Sequence, residues 1–353
     1  MATLTEVTFY TRKVIRWALY GLIIFVVFVL LSRVGVQVWK RFNPPKPPQP
    51  TLSFGVLPPI KFPPAEPVPE LSFELETIEG KLPGMPIMAK VHFISKKIYS
   101  YLTMERAREI ARGVGFNGEP IQIPETSETL FQWKSEIEGI PTSFTMDIID
   151  QTFAYAYDFQ KNQSLLESRR ALTNQDALIA IQSFLRQASS LPEDVRRGPA
   201  NYVYFRYQAP NLIPALSLYE TDFIKVTLLR ENINDLEVLP PNPYNGNISA
   251  LISRVTSRRV LDLNYYYFPV DREVWGTYPL KDITRAWEEL KSGQGYVANL
   301  GDNQAGEIKI RKVKLAYFDP PEHQPYLQPI YVFEGDKKFI AYVPAIKAEH
   351  LAR

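Results

Sequence analysis

The pattern of apolar and polar positions begins with a long apolar run near the N-terminus. Residues 17–39 are almost continuously apolar, and the part from Trp17 to Ser32 carries no charge. About 20 apolar residues are needed to cross the hydrocarbon core of a bilayer, so this run predicts one transmembrane helix. No small-residue cleavage pattern follows the run, which disfavours a cleaved signal peptide. Interfacial aromatic and basic residues are expected at its ends. The predicted membrane-anchoring residues are Trp17, Tyr20, Arg33 and Trp39.

The orientation of this helix follows from what lies on either side of it. Basic residues flank both ends in nearly equal number, so the positive-inside rule decides little. A long trailing domain, however, translocates largely regardless of its charge. We therefore expect residues 1–16 to form a short cytoplasmic tail and the large domain to lie outside the cell membrane, in a single-pass protein.

A proline-rich stretch covers residues 43–69 and contains PPKPPQP, LPPIKFPP and EPVP. Proline cannot continue a helix or a central strand, and such stretches favour the extended polyproline II conformation. The sequence therefore predicts a semi-rigid stalk of about 3.1 Å per residue. A docking site for a proline-reading partner is the alternative interpretation.

Beyond the stalk, helical and strand periods alternate about three times. The first helix is predicted to begin with Thr103 as its N-cap, and the motif L-T-x-x-x-A returns 70 residues later with Thr173 as cap and Asp176 completing a capping box. A third helix is predicted over 282–291, with an apolar face at helical spacing. The interpretation is an α+β fold of tandem helix-plus-antiparallel-sheet units. The predicted units are 70–160, 161–270 and 271–347, followed by a tail at 348–353.

Alternating or β-branched and aromatic runs predict the strands that follow these helices. The predicted strands are 71–78, 90–94, 120–123, 129–137, 142–149, 152–159, 201–208, 215–220, 223–230, 307–317, 328–334 and 338–344.

The C-terminal third has a sequence that resembles a known family. It runs from Tyr278-Pro279-Leu280 through Ala286-Trp287 to Ala341-Tyr342-Val343-Pro344. This order of motifs is similar to the end of YycI/YycH-type proteins, and the capped helix followed by a curled sheet resembles PepSY-type extracytoplasmic modules. The resemblance implies a single-pass membrane protein whose external domain regulates an envelope sensor kinase through protein contacts, with no catalytic residues.

Composition narrows the possible chemistry. The net charge of +2 argues against nucleic-acid binding, and the absence of cysteine excludes disulfides and thiolate chemistry. Three separated histidines make a histidine-rich metal site improbable. No catalytic motif is present, so we expect neither an enzyme nor a cofactor. Acidic pairs such as Asp147 and Asp150 are interpreted as turn residues, although a carboxylate pair across a cleft would be the alternative.

Aromatic runs provide the candidate binding surface. Strict alternation would bury Tyr265 and Tyr267 and expose Tyr266 and Phe268. Sheet packing and stacking of a sugar or peptide are the two interpretations of the exposed pair. The same two interpretations apply to Tyr202 and Tyr204.

Together these features predict an extracytoplasmic regulatory or scaffold protein that binds another membrane or envelope protein. Exposed sheet edges would allow a partner to add a strand. Two alternatives stay open: a polysaccharide-binding protein or enzyme of the cell envelope, and a structural subunit of an envelope or secretion assembly.

Overall fold

A computed structural model describes residues 17–23, 25–33, 35, 49–64, 67–97, 99–162, 165, 172–255, 259–304 and 306–352. The chain divides into two compact units, residues 1–49 and residues 50–353.

Most of the described part of the first unit is helical. Residues 17–23, 25–33 and 35 have helical backbone, and the ring of Trp17 lies edge-on to that of Tyr20 at 6.4 Å. Arg33 is exposed in this helical stretch, whereas Trp39 and the predicted tail 1–16 lie outside the described residues. Among the described residues, no helix has both the length and the apolar character that a membrane crossing requires.

The second unit is a mixed α+β fold in which sheet predominates. Its strands are β1 (Leu71–Leu75), β2 (Met88–Ile94), β3 (Ile121–Gln122), β4 (Leu130–Ile137), β5 (Ile140–Asp147), β6 (Phe153–Tyr157), β7 (Ala200–Gln208), β8 (Asn211–Pro214), β9 (Phe223–Leu228), β10 (Val238–Leu239), β11 (Ile248–Ser253), β12 (Val260–Tyr265), β13 (Val270–Pro279), β14 (Tyr296–Asn299), β15 (Gly306–Phe318), β16 (Tyr326–Leu327), β17 (Pro329–Gly335) and β18 (Ile340–Pro344). Its α-helices are α1 (Thr103–Gly113), α2 (Asn174–Gln187), α3 (Glu193–Arg197) and α4 (Ile283–Lys291).

The largest sheet has nine antiparallel strands in the order β3-β4-β5-β6-β12-β11-β9-β7-β8. Helix α2 packs across β9, β11 and β12, and α1 adds Ala107 and Ala111 to the same core. Trp133, Phe144 and Leu263 are among the strand residues buried beneath these helices. Because side chains alternate along a strand, the residues between them project from the opposite face of the sheet.

Two further sheets complete the unit. One has the order β1-β15-β17-β18-β14, with β10 also paired to β15, and the other has the order β13-β2-β16. Strands β1 and β10 run parallel to β15, and the remaining pairs are antiparallel. Helix α4 packs on β18 and buries Ala286 and Leu290 against Phe333.

The strands pair across the boundaries of the predicted tandem units. Strands β1 and β2, from the predicted first unit, pair with β15 and β13 of the predicted third unit. Strands β3–β6 of the first unit join β7, β8, β9, β11 and β12 of the second unit through the β6–β12 pair, and together they form one sheet. Local periodicity identifies a strand and its buried face, but it does not specify the neighbouring strand.

Much of the predicted stalk is packed onto the second unit, which corrects the sequence interpretation. Leu57 is fully buried, and its N–H donates to the carbonyl of His350 at 2.9 Å. Phe62 stacks on Tyr296 with ring centroids 4.7 Å apart. Residues 50–64 are neither helix nor ladder strand, as the prolines require, but the apolar side chains between the prolines are held in the fold. The predicted tail is likewise involved, since Leu351 bridges to Leu57.

The predicted N-cap is confirmed at α2 and is wrong at α1. Thr173 and Asp176 form the predicted capping box of α2, and Asp282 caps α4 by accepting from the Thr284 N–H. Thr103 is not an N-cap: it is the first helical residue, and its hydroxyl accepts from the Ser100 N–H at 2.8 Å.

The predicted strand at 215–220 is wrong. Residues Leu218–Glu220 form a short 3-10 helix, and the side chain of Ser217 caps it by accepting from the Glu220 N–H. Serine side chains bond readily to nearby backbone groups, which favours such a turn over a strand.

Candidate binding groove

An open groove of about 720 Å³ lies on the nine-stranded sheet, on the face opposite α1 and α2. Its walls include Lys134 and Glu136 of β4, and Asp158 just after β6. Its floor includes Ser143 of β5 and Ala156 of β6. These positions alternate with buried core residues along their strands, so the sequence pattern itself directs them to this face.

Small side chains create the space. Ser143 and Ala156 are direct cross-strand partners, so two of the smallest side chains lie next to each other in the middle of the sheet face. Cross-strand neighbours have Cβ atoms about 5 Å apart, and larger residues here would fill the hollow. The groove is therefore a consequence of side-chain size at two positions, with the backbone of an ordinary sheet beneath.

A charged pair lies on the same face beyond the groove floor. Asp262 is the cross-strand partner of Ala156, and Leu251 separates Asp262 from Lys225. Both ionisable groups are half-buried. Burial raises the pKa of Asp262 and lowers the pKa of Lys225, and the attraction between the two opposes each shift. Burial, followed by the charge of Asp262, raises the pKa of Tyr266, which places this tyrosine near the same carboxylate.

The predicted aromatic surface is not assembled as one patch. Tyr202 and Tyr204 pair with Val226 and Ile224, which lie in the core under the helices, and the Tyr204 hydroxyl donates to Asn174 Oδ1 at 3.1 Å. Tyr266 belongs to the opposite face, near Asp262. These candidate residues therefore cannot contact one ligand on a single face of the sheet.

The predicted exposure of Phe268 is wrong. Its side chain is only 2% exposed and packs in a cluster with Ile94 and Tyr317. Strand β12 ends at Tyr265, so the period of two no longer applies three residues later. The predicted burial of Tyr265 is confirmed, and Tyr267 is half-buried.

A buried ionic network joins the ends of several strands, and the sequence interpretation missed it. Arg230 is 3% exposed, with its guanidinium 3.0 Å from Asp319 and 3.3 Å from Asp194. It also donates to the Phe268 carbonyl at 2.7 Å and lies over the Tyr267 ring. Burial alone would lower the pKa of Arg230, but Asp319, Tyr267 and Asp194 outweigh it and raise that pKa. Burial raises the pKa of Asp319, against the opposing effect of Arg230.

A second perturbed group lies at the turn between β5 and β6. The Lys97 ammonium donates to the Asp150 carbonyl at 2.8 Å, and burial lowers the pKa of Lys97 to about 8. Burial and then the charge of Asp147 raise the pKa of Asp150. The turn role of this acidic pair is confirmed, because Asp147 accepts from the N–H groups of Ile149 and Asp150 at 2.9 Å each.

Comparisons with known proteins leave the family open. No family model matches the chain, and no curated protein matches it. Among solved structures, it is similar to the crystal structure of an uncharacterized protein from Eubacterium rectale ATCC 33656, at 10% identity and a TM-score of 0.37, covering 79% of this chain and 89% of that one. A likeness this distant supports no conclusion about function.

Two further acidic residues, Glu289 and Asp319, are engaged in ion pairs. Glu289 contacts Lys281 at 2.6 Å, and Asp319 belongs to the Arg230 network. Among the described residues, no cluster of three or more His, Asp or Glu side chains is placed to hold a metal ion.

Proposed function

We propose that this chain is a membrane-anchored, non-enzymatic scaffold or regulatory protein, whose external domain binds an extended segment of another membrane protein. The observation that supports the proposal is the groove on the nine-stranded sheet. It is open along a sheet face, has a floor of small residues, and carries both Lys134 and the acidic residues Glu136 and Asp158 on its walls.

The shape and chemistry of the groove suit an extended polypeptide. Ser143 and Ala156 leave depth for alternate side chains of the bound segment, and the charged walls can pair with polar positions of either sign. A small-molecule pocket is usually more enclosed and more apolar than this one.

The N-terminal apolar run supports a partner in the same membrane. If residues 17–39 cross the bilayer, as the sequence predicts, the second unit is tethered to a membrane, where it would meet other membrane proteins. A sensor kinase, which the YycI/YycH-type resemblance implies, is such a partner.

Filling the groove tests its role. Ala156 is exposed, so Ala156→Phe should occupy the floor without disturbing the core, and Ala156→Ser is the matched control. The full chain and both variants would be chemically cross-linked in native membranes, and the products identified by mass spectrometry. We expect a stoichiometric membrane-protein partner with the native chain and with Ala156→Ser, and its loss with Ala156→Phe.

Two results would reject this function. One is equal cross-linking by Ala156→Phe and the native chain. The other is recovery of cell-wall polysaccharide instead of protein, which would favour the polysaccharide-binding alternative.

A separate experiment tests the topology. The chain lacks cysteine, so Glu79→Cys introduces a single thiol at an exposed turn of the external domain. We expect a membrane-impermeant maleimide to label it in intact cells, and Thr3→Cys to be labelled only after lysis. The reverse pattern would place the domain inside, and labelling of neither site before lysis would also contradict outward placement.

A further inference from the structure

Within the described residues, the outer edge of β4 is unpaired beyond Gln132. Strand β3 pairs only with Phe131 and Gln132, and the described residues include no strand beside 133–137. Backbone groups of an antiparallel strand point alternately to its two neighbours. The Leu130 carbonyl accepts from the Ile123 N–H on the β3 side. By this alternation, the N–H and C=O groups of Lys134 and Glu136 point outward from the sheet.

This edge is complementary to itself. If a second β4 ran antiparallel to it about a two-fold axis at Ser135, Lys134 would lie opposite Glu136 of the second copy, and Glu136 opposite its Lys134. Both side chains project from the groove face and are exposed. Each opposed pair would therefore join opposite charges, and the outward backbone groups of these two residues would form four hydrogen bonds.

We propose that two copies of this chain associate edge to edge through β4, antiparallel and centred on Ser135. The two nine-stranded sheets then form one continuous sheet. Each copy contributes the same surface, which is what a two-fold interface requires. The two grooves meet across the axis, so each Lys134 has Glu136 of the other copy beside it in a shared wall. This inference does not depend on what the groove binds.

The register gives a direct chemical test. Ser135 bonds on its other side to β5, so across the new interface it forms a non-hydrogen-bonded pair, in which Cα atoms lie about 4.5 Å apart. That spacing lies within the range of a disulfide. The native chain has no cysteine, so Ser135→Cys provides the only thiol. Gln132→Cys is the matched control in the same strand, because its two copies would be roughly 20 Å apart along the strands.

Mild oxidation of the full chain in native membranes should produce a disulfide-linked dimer with Ser135→Cys and at least ten times less with Gln132→Cys, as expected from the distances involved. Equal cross-linking at the two positions would overturn the proposal, because random collision would then explain both.

Charge exchange provides a second test that does not rely on a new thiol. Lys134→Glu and Glu136→Lys each place like charges opposite each other twice, which should weaken self-association roughly ten- to thirty-fold. Mixing the two variants, or combining both changes in one chain, restores opposite pairs and should restore the dimer. Because both variants recover in the mixture, misfolding cannot account for their separate loss. The assay is light scattering on the full chain in detergent, and failure of the mixture to recover association would overturn the proposed register.

Discussion

The buried Arg230 network gives the sharpest test of how the second unit is held together. The substitution Arg230→Met keeps most of the apolar volume and removes the charge. Asp319 and Asp194 then lose their shared cation, and the Phe268 carbonyl loses its donor. The carboxylates cannot recover these contacts from water easily, since their side chains are only 10% and 17% exposed.

The expected loss in the free energy of unfolding is about 3–4 kcal/mol. Removing one partner of a buried ion pair typically costs 3–5 kcal/mol because the other charge is left uncompensated. The residual exposure of both carboxylates favours the lower half of that range. The loss should shrink at low pH: burial already raises the pKa of Asp319 above its ordinary value, and without Arg230 this carboxyl takes up a proton more readily.

Urea unfolding followed by tryptophan fluorescence, with the full chain in detergent, measures this loss. Trp133 is buried in the nine-stranded sheet and reports on its unfolding. We expect a larger loss near pH 7.5 than near pH 4.5. The double variant Arg230→Met/Asp319→Asn should recover about 1–2 kcal/mol, because it removes one stranded charge. A loss below about 1 kcal/mol, or one that is equal at both pH values, would refute the reasoning.

Three further predictions concern stability and use the same unfolding assay. Burial lowers the pKa of Lys97 to about 8, so the native state loses this proton at lower pH than the unfolded chain does, and the free energy of unfolding should rise with pH above 8. Lys97→Met should abolish that rise and add about 1–2 kcal/mol to the free energy of unfolding at neutral pH, after allowance for solvent screening. An unchanged pH profile in this variant would contradict the prediction. Thr173→Ala removes the capping box of α2 and should cost about 1 kcal/mol, more than Thr103→Ala, and an equal cost would count against the assigned caps. Leu57→Ala should lower the free energy of unfolding by about 2–5 kcal/mol because Leu57 is fully buried. A loss typical of an exposed residue would instead indicate that the segment around Leu57 is a free stalk.

Features that depend on neighbouring residues were predictable from the sequence. The apolar face of α2, the Thr173–Asp176 capping box and the predicted strands other than 215–220 agree with the structure, because each is decided within a few residues. Strands β11, β12 and β13 were not predicted. The polar face of β4 and β5 was also implied by alternation, although its role as a groove was not. The small size of Ser143 and Ala156 was visible in the sequence, but their direct opposition depends on strand register.

Partly buried charges in apolar strands were a signal that sequence reasoning did not use. Lys225 interrupts the otherwise buried run FIKVTL, and Asp262 is half-buried between the core residues Leu261 and Leu263. A charge at such a position is costly unless it has a purpose or a partner, so these two residues could have been flagged. Lys97 and Arg230 gave no comparable signal, because their surroundings come from distant segments.

The sequence by itself therefore determined the apolar N-terminal run and most of the helices and strands with their buried faces. Only the tertiary structure decided that β1 and β2 pair with C-terminal strands, that residues 50–64 pack onto the domain, and that Phe268 is buried. The physical reason is range. Periodicity and capping arise from groups within about one or two turns of one another, whereas strand partners and burial after a strand ends depend on segments hundreds of residues apart, which share no local pattern.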